Sequence, residues 1–189
     1  MKKPYIICHM MMSVDGRIDC GMTVKIAGSN EYYETLSALD VPTNLSGRVT
    51  AQLELAEPGV FIAKNPTESI GKEGFSKKRS ANGYQVVVDT KGTLLWHDDS
   101  NGDSPLIVIM SPEVTKEYLA YLDSLHISWI VCGEKHIDLH KAVEILYTEF
   151  GVERMAIVGG GTINAAFLNA GLLDEVSILL GPGIDGRKG

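Results

Sequence analysis

The sequence predicts an α/β layered fold with a largely parallel sheet, and three observations carry that expectation. From residue 106 onward, short apolar runs alternate with stretches of helical periodicity, the pattern of strands joined by crossover helices. Tyr5–Met12 (YIICHMMM) is nearly continuous apolar sequence, as expected of a strand buried on both faces. Near the other end, the apolar run Met155–Val158 leads straight into Gly159-Gly160-Gly161-Thr162 and a helix. In open α/β sheets ligands favour the carboxyl ends of strands, where this turn lies.

The elements follow in order. After the first strand, Ser29-Asn30-Glu31 supplies cap residues and an early acid for a helix through Tyr32–Leu39. Val60–Ala63, Tyr84–Val88 and Leu106–Met110 are apolar or β-branched runs bounded by Gly, Pro, Asn and Asp, and each predicts a strand. Ser111-Pro112-Glu113 places a cap, a proline and an acid at the start of a helix running from Pro112 to Leu125. Ile127–Cys132 predicts another strand. In the helix from Leu139 to Phe150, Leu139, Ala142, Val143, Leu146, Tyr147 and Phe150 share one face, and Gly151 stops it. The helix after the glycines runs to Ala170 and stops at Gly171, and Val176–Leu180 is the last strand. Residues 64–83 are the most polar stretch, predicting a surface loop, with a flap beside a ligand as the alternative. Trp96–Asp103 (WHDDSNGD) predicts a solvated turn.

No repeat and no long linker divides the 189 residues, so one domain over 1–189 is expected. With 17 Lys+Arg against 24 Asp+Glu, the net charge of −7 argues against a general nucleic-acid binder, which needs a basic face. It does not argue against a small anionic ligand, because a few local donors outweigh global charge. Cys8, Cys20 and Cys132 are odd in number and lack CxxC spacing, which disfavours a disulfide framework or zinc site. Cys8 and Cys132 lie in apolar runs and read as core. His9 reads as a core histidine, and the other four histidines lack ligand spacing, so no catalytic metal is expected. The N-terminal run is too short and interrupted for a signal peptide or a membrane span. These features predict a soluble, reduced, cytoplasmic protein with no nucleic-acid or membrane partner.

Two local features bear on chemistry. Glycines at 159–161 permit close backbone approach, and the following helix offers unpaired N–H groups to an anion. The run is neither a dinucleotide-binding fingerprint, since Asn164 holds the third glycine position, nor a P-loop, since no Gly-Lys-Ser/Thr follows. A glycine connection needed only for packing is the alternative. The second feature is Ser13-Val14-Asp15-Gly16-Arg17 after the first strand, whose alternative is a simple Asp-Gly turn.

Together these features carry a family resemblance. Met12-Ser13-Val14-Asp15-Gly16-Arg17-Ile18 resembles the S-[LV]-D-G-[KR]-[IT] motif opening the reductase domain of the bacterial riboflavin-biosynthesis bifunctional protein. Gly159-Gly160-Gly161-Thr162-Ile163-Asn164 and Ala170-Gly171-Leu172-Leu173-Asp174-Glu175 resemble its closing glycine and G-L-[VL]-D-E stretch. Between them, Ser46-Gly47-Arg48-Val49-Thr50 resembles its G-x-x-T, and Val87-Val88-Asp89-Thr90 its V-x-D-S strand end.

The resemblance implies a dihydrofolate-reductase-like three-layer fold, with a central mixed, mostly parallel sheet flanked by helices, and a homodimer. It implies NADPH as hydride donor and reduction of 5-amino-6-(5-phosphoribosylamino)uracil at C1′ of the ribosyl group. By the same resemblance Met12 lines the cofactor with its backbone, and Thr50, Glu54 and Thr90 contact it. Gly159, Gly160, Gly161, Thr162 and Ile163 hold its pyrophosphate. Lys64, Lys91 or the Lys77-Lys78-Arg79 cluster supplies a cation for the 2′-phosphate. Asp15, Lys25, Glu54 and Val158 fall at substrate-facing positions; the catalytic residue is not assigned.

The departures fall on the substrate side. Val158 stands where the family has an acid before the glycines, Lys25 or Ile26 where it has an aromatic, and no arginine follows Glu54 until Arg79. The family usually continues past the last motif with a further pair of strands. The sequence stops at Gly189, either because it covers part of a longer polypeptide or because the sheet does without its closing hairpin. Two alternatives stay open. One is a dihydrofolate-reductase-like paralogue acting on a pterin or another imine or carbonyl, which would want a carboxylate from the first helix, with Glu31, Glu34 and Asp40 at hand. The other is a non-catalytic nucleotide-binding module.

Overall fold

The computed structural model describes residues 2–18, 25–101 and 104–187. One sheet runs through them. Its strands are β1 (Tyr5–Met12), β2 (Thr43–Gly47), β3 (Gly74–Ser76), β4 (Gln85–Val88), β5 (Ser100–Asn101), β6 (Ser104–Met110), β7 (Ser128–Val131), β8 (Arg154–Gly159) and β9 (Glu175–Leu180). The order is β3-β7-β6-β4-β2-β8-β1-β9, with β5 paired to β6 off this path. Only the β3–β7 and β5–β6 pairs are antiparallel. The helices are α1 (Ser29–Ala38), α2 (Arg48–Glu54), α3 (Lys116–Ser124), α4 (Leu139–Thr148) and α5 (Gly161–Asn169).

Side chains alternate across a strand, so each strand feeds two cores. Ile6, Leu45, Val86, Ile107 and Ile157 pack with α4 and α5 on one face. Val87, Val108, Met110 and Val131 pack with α3 and with Ala51 of α2 on the other. α1 covers β1 on this second face, where the buried His9 ring meets the Tyr32 carbonyl at 3.2 Å and stacks on the Tyr32 ring at 4.5 Å. The result is three layers, as expected. β1 is flanked in the sheet by β8 and β9 and is buried on both faces, Ile6 in the first core and His9 beneath Tyr32 of α1. Cys8 and Cys132 lie in the core; Cys20 lies outside the described residues.

Several expectations need correction. Val60–Ala63 is not a strand: within it the Phe61 N–H reaches the Thr93 carbonyl at 2.8 Å, while Val60 and Ile62 are exposed. Phe61 instead anchors the segment on Tyr118 and Tyr121. α3 begins at Lys116 rather than Pro112, because the Ser111 hydroxyl accepts the Glu113 N–H and Thr115 supplies the cap, accepting from Tyr118 N at 3.2 Å. α1 is capped by Gly28 at φ 120° and not by a side chain. α4 ends at Thr148, two residues before Phe150. Trp96 is no part of a solvated turn. It is buried, its Nε1 donates to the Tyr118 hydroxyl at 3.0 Å, and β5 forms beyond it. The 64–83 stretch is largely exposed and contributes β3 at the sheet edge.

β2 and α2 were not anticipated. Thr-Asn-Leu-Ser-Gly has little strand propensity, and it is strand because β4 and β8 pair with it on both sides. These two elements form the middle of the site.

Candidate functional site

A cleft of about 1260 Å³ opens at the carboxyl ends of the central strands, between α1 and α2 on the second face. A single small-molecule site is typically about 300–1,000 Å³, so this one has room for two ligands side by side.

Its centre is a close backbone crossing. The β2–β8 register slips between Leu45 and Ser46, so that Leu45 faces Ile157 but Ser46 faces Gly159, leaving Val158 as an extra residue. Such a bulge re-aims side chains, and here Val158 lines the cleft. A Cβ on Gly159 would stand 2.5 Å from Thr50 Cγ2, so only glycine fits against α2. Gly160 follows at φ 106° and caps α5 without a side-chain acceptor. The first α5 bond runs from Asn164 N to the Gly160 carbonyl. The amides of Gly161, Thr162 and Ile163 precede it and stay available to an acceptor in the cleft.

The structure brings together Thr50, Glu54, Thr90, Val158 and Gly159 through Ile163, all of which line the cleft. Thr90 enters from the end of β4 and Glu54 from the end of α2. Other expected positions stand elsewhere. Met12 is not among the lining residues; its carbonyl accepts the Gly181 N–H at 2.8 Å, and Met10 and Met11 line the cleft instead. Lys25 is exposed outside it.

Asp15 also stands outside the cleft, holding the chain end. Its carboxylate accepts the Ser13 hydroxyl at 2.6 Å, Asp185 N at 3.0 Å and Gly186 N at 2.9 Å. These bonds, the Ser13 one foremost, hold its pKa far below the usual carboxylate range. The turn it stabilises carries Ile18 to the cleft rim, where Ile18 Cδ1 lies 3.6 Å from the Cβ position of Gly161.

None of the cations expected for the 2′-phosphate lines the cleft. Lys77 donates to the Glu149 carbonyl, Lys78 pairs with Asp123 and Arg79 with Asp99. Among the described residues, Arg48 is the only lysine or arginine in the lining and Glu54 the only carboxylate. His136 joins Arg48 from the turn between β7 and α4. The Ser46–Thr50 motif assigns Arg48 no role, and its place at the first turn of α2 leaves it exposed.

Asn44 and Ser46 carry no sequence signal as lining residues because nothing in β2 reads as a strand, and Gln85 lies in the expected strand Tyr84–Val88 without a role. Asn44 and Ser46 project from β2 two residues apart, with Gln85 in register beside Asn44. The Asn44 Oδ1 and Ser46 Oγ atoms are buried with no hydrogen-bond partner in the protein. Opposite them stand Tyr32, Tyr33 and Leu36 of α1. The α1 acids Glu31 and Glu34 do not line the cleft, nor does Asp40 beyond its end. Among the described residues no group of three or more His, Cys, Asp or Glu is arranged to hold a metal, and no helix is long and apolar enough to cross a membrane.

The sequence model of the RibD C-terminal domain family matches residues 4–189. The chain is 26% identical over 187 residues to the 2,5-diamino-6-ribosylamino-4(3H)-pyrimidinone 5′-phosphate reductase of Methanothermobacter thermautotrophicus, covering 98% of this chain and 81% of that protein. A pyrimidine reductase-like protein of Corynebacterium diphtheriae superposes with a TM-score of 0.67 at 16% identity, over 97% of this chain and 77% of that one. RibD of Acinetobacter baumannii superposes with a TM-score of 0.63 at 18% identity; the match covers 98% of this chain and 48% of RibD, about half its length. These likenesses show the same dihydrofolate-reductase-like fold.

Proposed function

Because the chain belongs to the RibD C-terminal domain family, we propose that it is an NADPH-dependent reductase of riboflavin biosynthesis acting on a phosphorylated pyrimidine ribosylamine. The curated relatives are named for the 2,5-diaminopyrimidinone, which we take as the substrate here. The uracil compound carries oxygen in place of the C2 amino group and is the second substrate to test.

The observation that carries this reading is the two-ligand cleft, with a glycine cradle on one side and an aromatic wall on the other. The residues fit a dinucleotide. Gly159 and Gly160 leave the backbone bare, and the amides of Gly161, Thr162 and Ile163 would take the pyrophosphate. Thr50 and Thr90 would flank it, Glu54 would accept from a ribose hydroxyl, and Arg48 with His136 would meet the additional phosphate of NADPH. When bound, the reduced nicotinamide supplies the hydride that C1′ of the ring-opened sugar accepts, a proton going to the adjoining nitrogen. The chain's own part is alignment and exclusion of water: α1 and α2 wall the cleft with Tyr32, Leu36, Val49 and Leu53.

The pterin alternative is less well supported, since no acid of α1 lines the cleft. The non-catalytic alternative predicts cofactor binding without turnover. Homodimerisation and a cytoplasmic location complete the proposal. The outward row Val176, Ile178 and Leu180 on edge strand β9, each more than half exposed, supports a self-association surface. NADPH oxidation with the two pyrimidines and dihydrofolate tests the reading, and turnover confined to dihydrofolate would contradict it.

A further inference from the structure

We infer that the Tyr32 hydroxyl is the general acid of the reduction, giving a proton to the nitrogen beside C1′ as the hydride reaches that carbon. This rests on the proposed reductase function and assigns the catalytic residue that the sequence leaves open.

Tyr32 is held on both sides of its ring and at its backbone. The ring stacks on the imidazole of His9, with centroids 4.5 Å and planes 22° apart, and meets Tyr33 edge-on at 5.3 Å. His9 is fully buried, and burial lowers its pKa, which keeps the imidazole neutral. Its Nε2 lies 3.2 Å from the Tyr32 carbonyl and its Nδ1 3.0 Å from the Ser177 hydroxyl. A carbonyl only accepts, so Nε2 carries the proton and Nδ1 takes that of the serine. His9 does not line the cleft, but Tyr32 does, and His9 fixes where the phenol points.

That point is the junction of the two halves of the site. The Tyr32 hydroxyl donates to the Val158 carbonyl at 3.4 Å. Val158 is the extra residue of the β2–β8 bulge and directly precedes the glycine cradle. The phenol thus stands where the cradle gives way to the α1 wall, and where nicotinamide and pyrimidine must meet. A bond of this length is weak, and catalytic hydrogen bonds are often long until substrate binds.

The other lining groups suit the task less. Glu54, as a carboxylate, only accepts, and Arg48 and His136 are taken by the phosphate in the reading above. Tyr33 is 66% exposed. Tyrosine is among the usual general acids, whereas the Ser and Thr hydroxyls are not. In the step, C1′ takes the hydride and the C1′–N π electrons pass to the nitrogen. The phenol O–H bond breaks as the N–H bond forms. The phenolate regains its proton from water, which the half-buried Tyr32 reaches.

Tyr32→Phe keeps the ring and its stacking and removes only the hydroxyl. We expect kcat for the pyrimidine to fall about a hundredfold or more, with KM, NADPH affinity and melting temperature unchanged. The variant should also slow further in heavy water than wild type does, because proton transfer becomes its slow step. A second readout needs no turnover. In protein carrying tyrosine labelled at Cζ, the Tyr32 resonance, assigned by its absence from Tyr32→Phe, should shift when the pyrimidine ribosylamine phosphate joins NADP+. An unchanged kcat in the variant overturns the inference, while turnover by the wild type leaves the reductase reading standing. A fall in kcat shared with KM or melting, or without the added heavy-water effect, also overturns it, since the phenol would then only pack. A Tyr32 resonance that the pyrimidine does not move overturns it as well. A wild type that reduces neither pyrimidine overturns both the inference and the reductase reading.

Discussion

Gly159 and Thr50 interlock: the Cβ that Gly159 lacks would lie 2.5 Å from Thr50 Cγ2 and 2.8 Å from its Oγ1. The contact joins the end of β8 to α2 and fixes the distance between the glycine turn and the Arg48–Glu54 helix. Thr50 is buried, so it has no room to withdraw.

Gly159→Ala should therefore cost about 1–3 kcal/mol of stability as an overpacked site and weaken NADPH binding. Thr50→Ala in the same chain should restore part of the stability, because the two changes are coupled through one contact. Chemical denaturation of the two single variants and the double variant measures this. Simple additivity would show that the contact does not constrain the turn.

Arg48 is the sole lysine or arginine among the described lining residues, so its loss should fall on the more anionic cofactor. Arg48→Leu is expected to raise KM for NADPH by about tenfold to a hundredfold, the worth of a charge-assisted hydrogen bond, while KM for NADH changes little. Equal effects on both cofactors would assign Arg48 a different role.

The Asp15 carboxylate ties the chain end to the first turn, and its pKa is depressed by the Ser13 hydroxyl and the Gly186 and Asp185 amides. A depressed folded value means the stabilisation is present above the unfolded pKa, about 3.9, and is lost as pH falls through the folded value. The protection factors at Asp185 and Gly186 should thus hold down to about pH 4 and decline below it. Asp15→Ala should remove that protection at neutral pH. Unchanged exchange in the variant would mean the strap is held by its other contacts, such as Val14 N to the Gly183 carbonyl.

Much of this architecture is legible in residue pattern. The strands β1, β4, β6, β7, β8 and β9 announce themselves through continuous apolar or β-branched runs, and α4 through its stripe. What escapes are elements whose conformation is imposed from outside. β2 is built of Asn, Ser and Gly and exists because two neighbours pair with it. Trp96 sits beside His97-Asp98-Asp99 and looks solvated, yet the Tyr118 hydroxyl accepts its indole N–H and draws it inside. Asp15 lies in the expected turn, but beside Ser13 its carboxylate takes the amides of Asp185 and Gly186, 170 and 171 residues away in sequence. The glycine turn was readable because glycine records a steric demand locally. The place of Asn44 and Ser46 in the lining was not, because it depends on which strand face opens into the cleft.

Gly92 offers a control remote from the cleft. It turns at φ 67°, and a Cβ there would stand 2.3 Å from a ring carbon of Tyr118, whose hydroxyl also ties down Leu94 and Trp96. Gly92→Ala combines left-handed strain with a ring clash and should cost more than the about 1 kcal/mol typical of a point mutant. Thermal melting checks this, and NADPH affinity should hold wherever the variant is folded.

The most direct measurement is NADPH oxidation, followed by absorbance, with the diaminopyrimidinone ribosylamine phosphate and dihydrofolate offered separately to the same protein. The account predicts turnover with the pyrimidine and none with dihydrofolate, since no α1 carboxylate reaches the cleft. Turnover with dihydrofolate alone, or tight NADPH binding with no pyrimidine reduction, would contradict it.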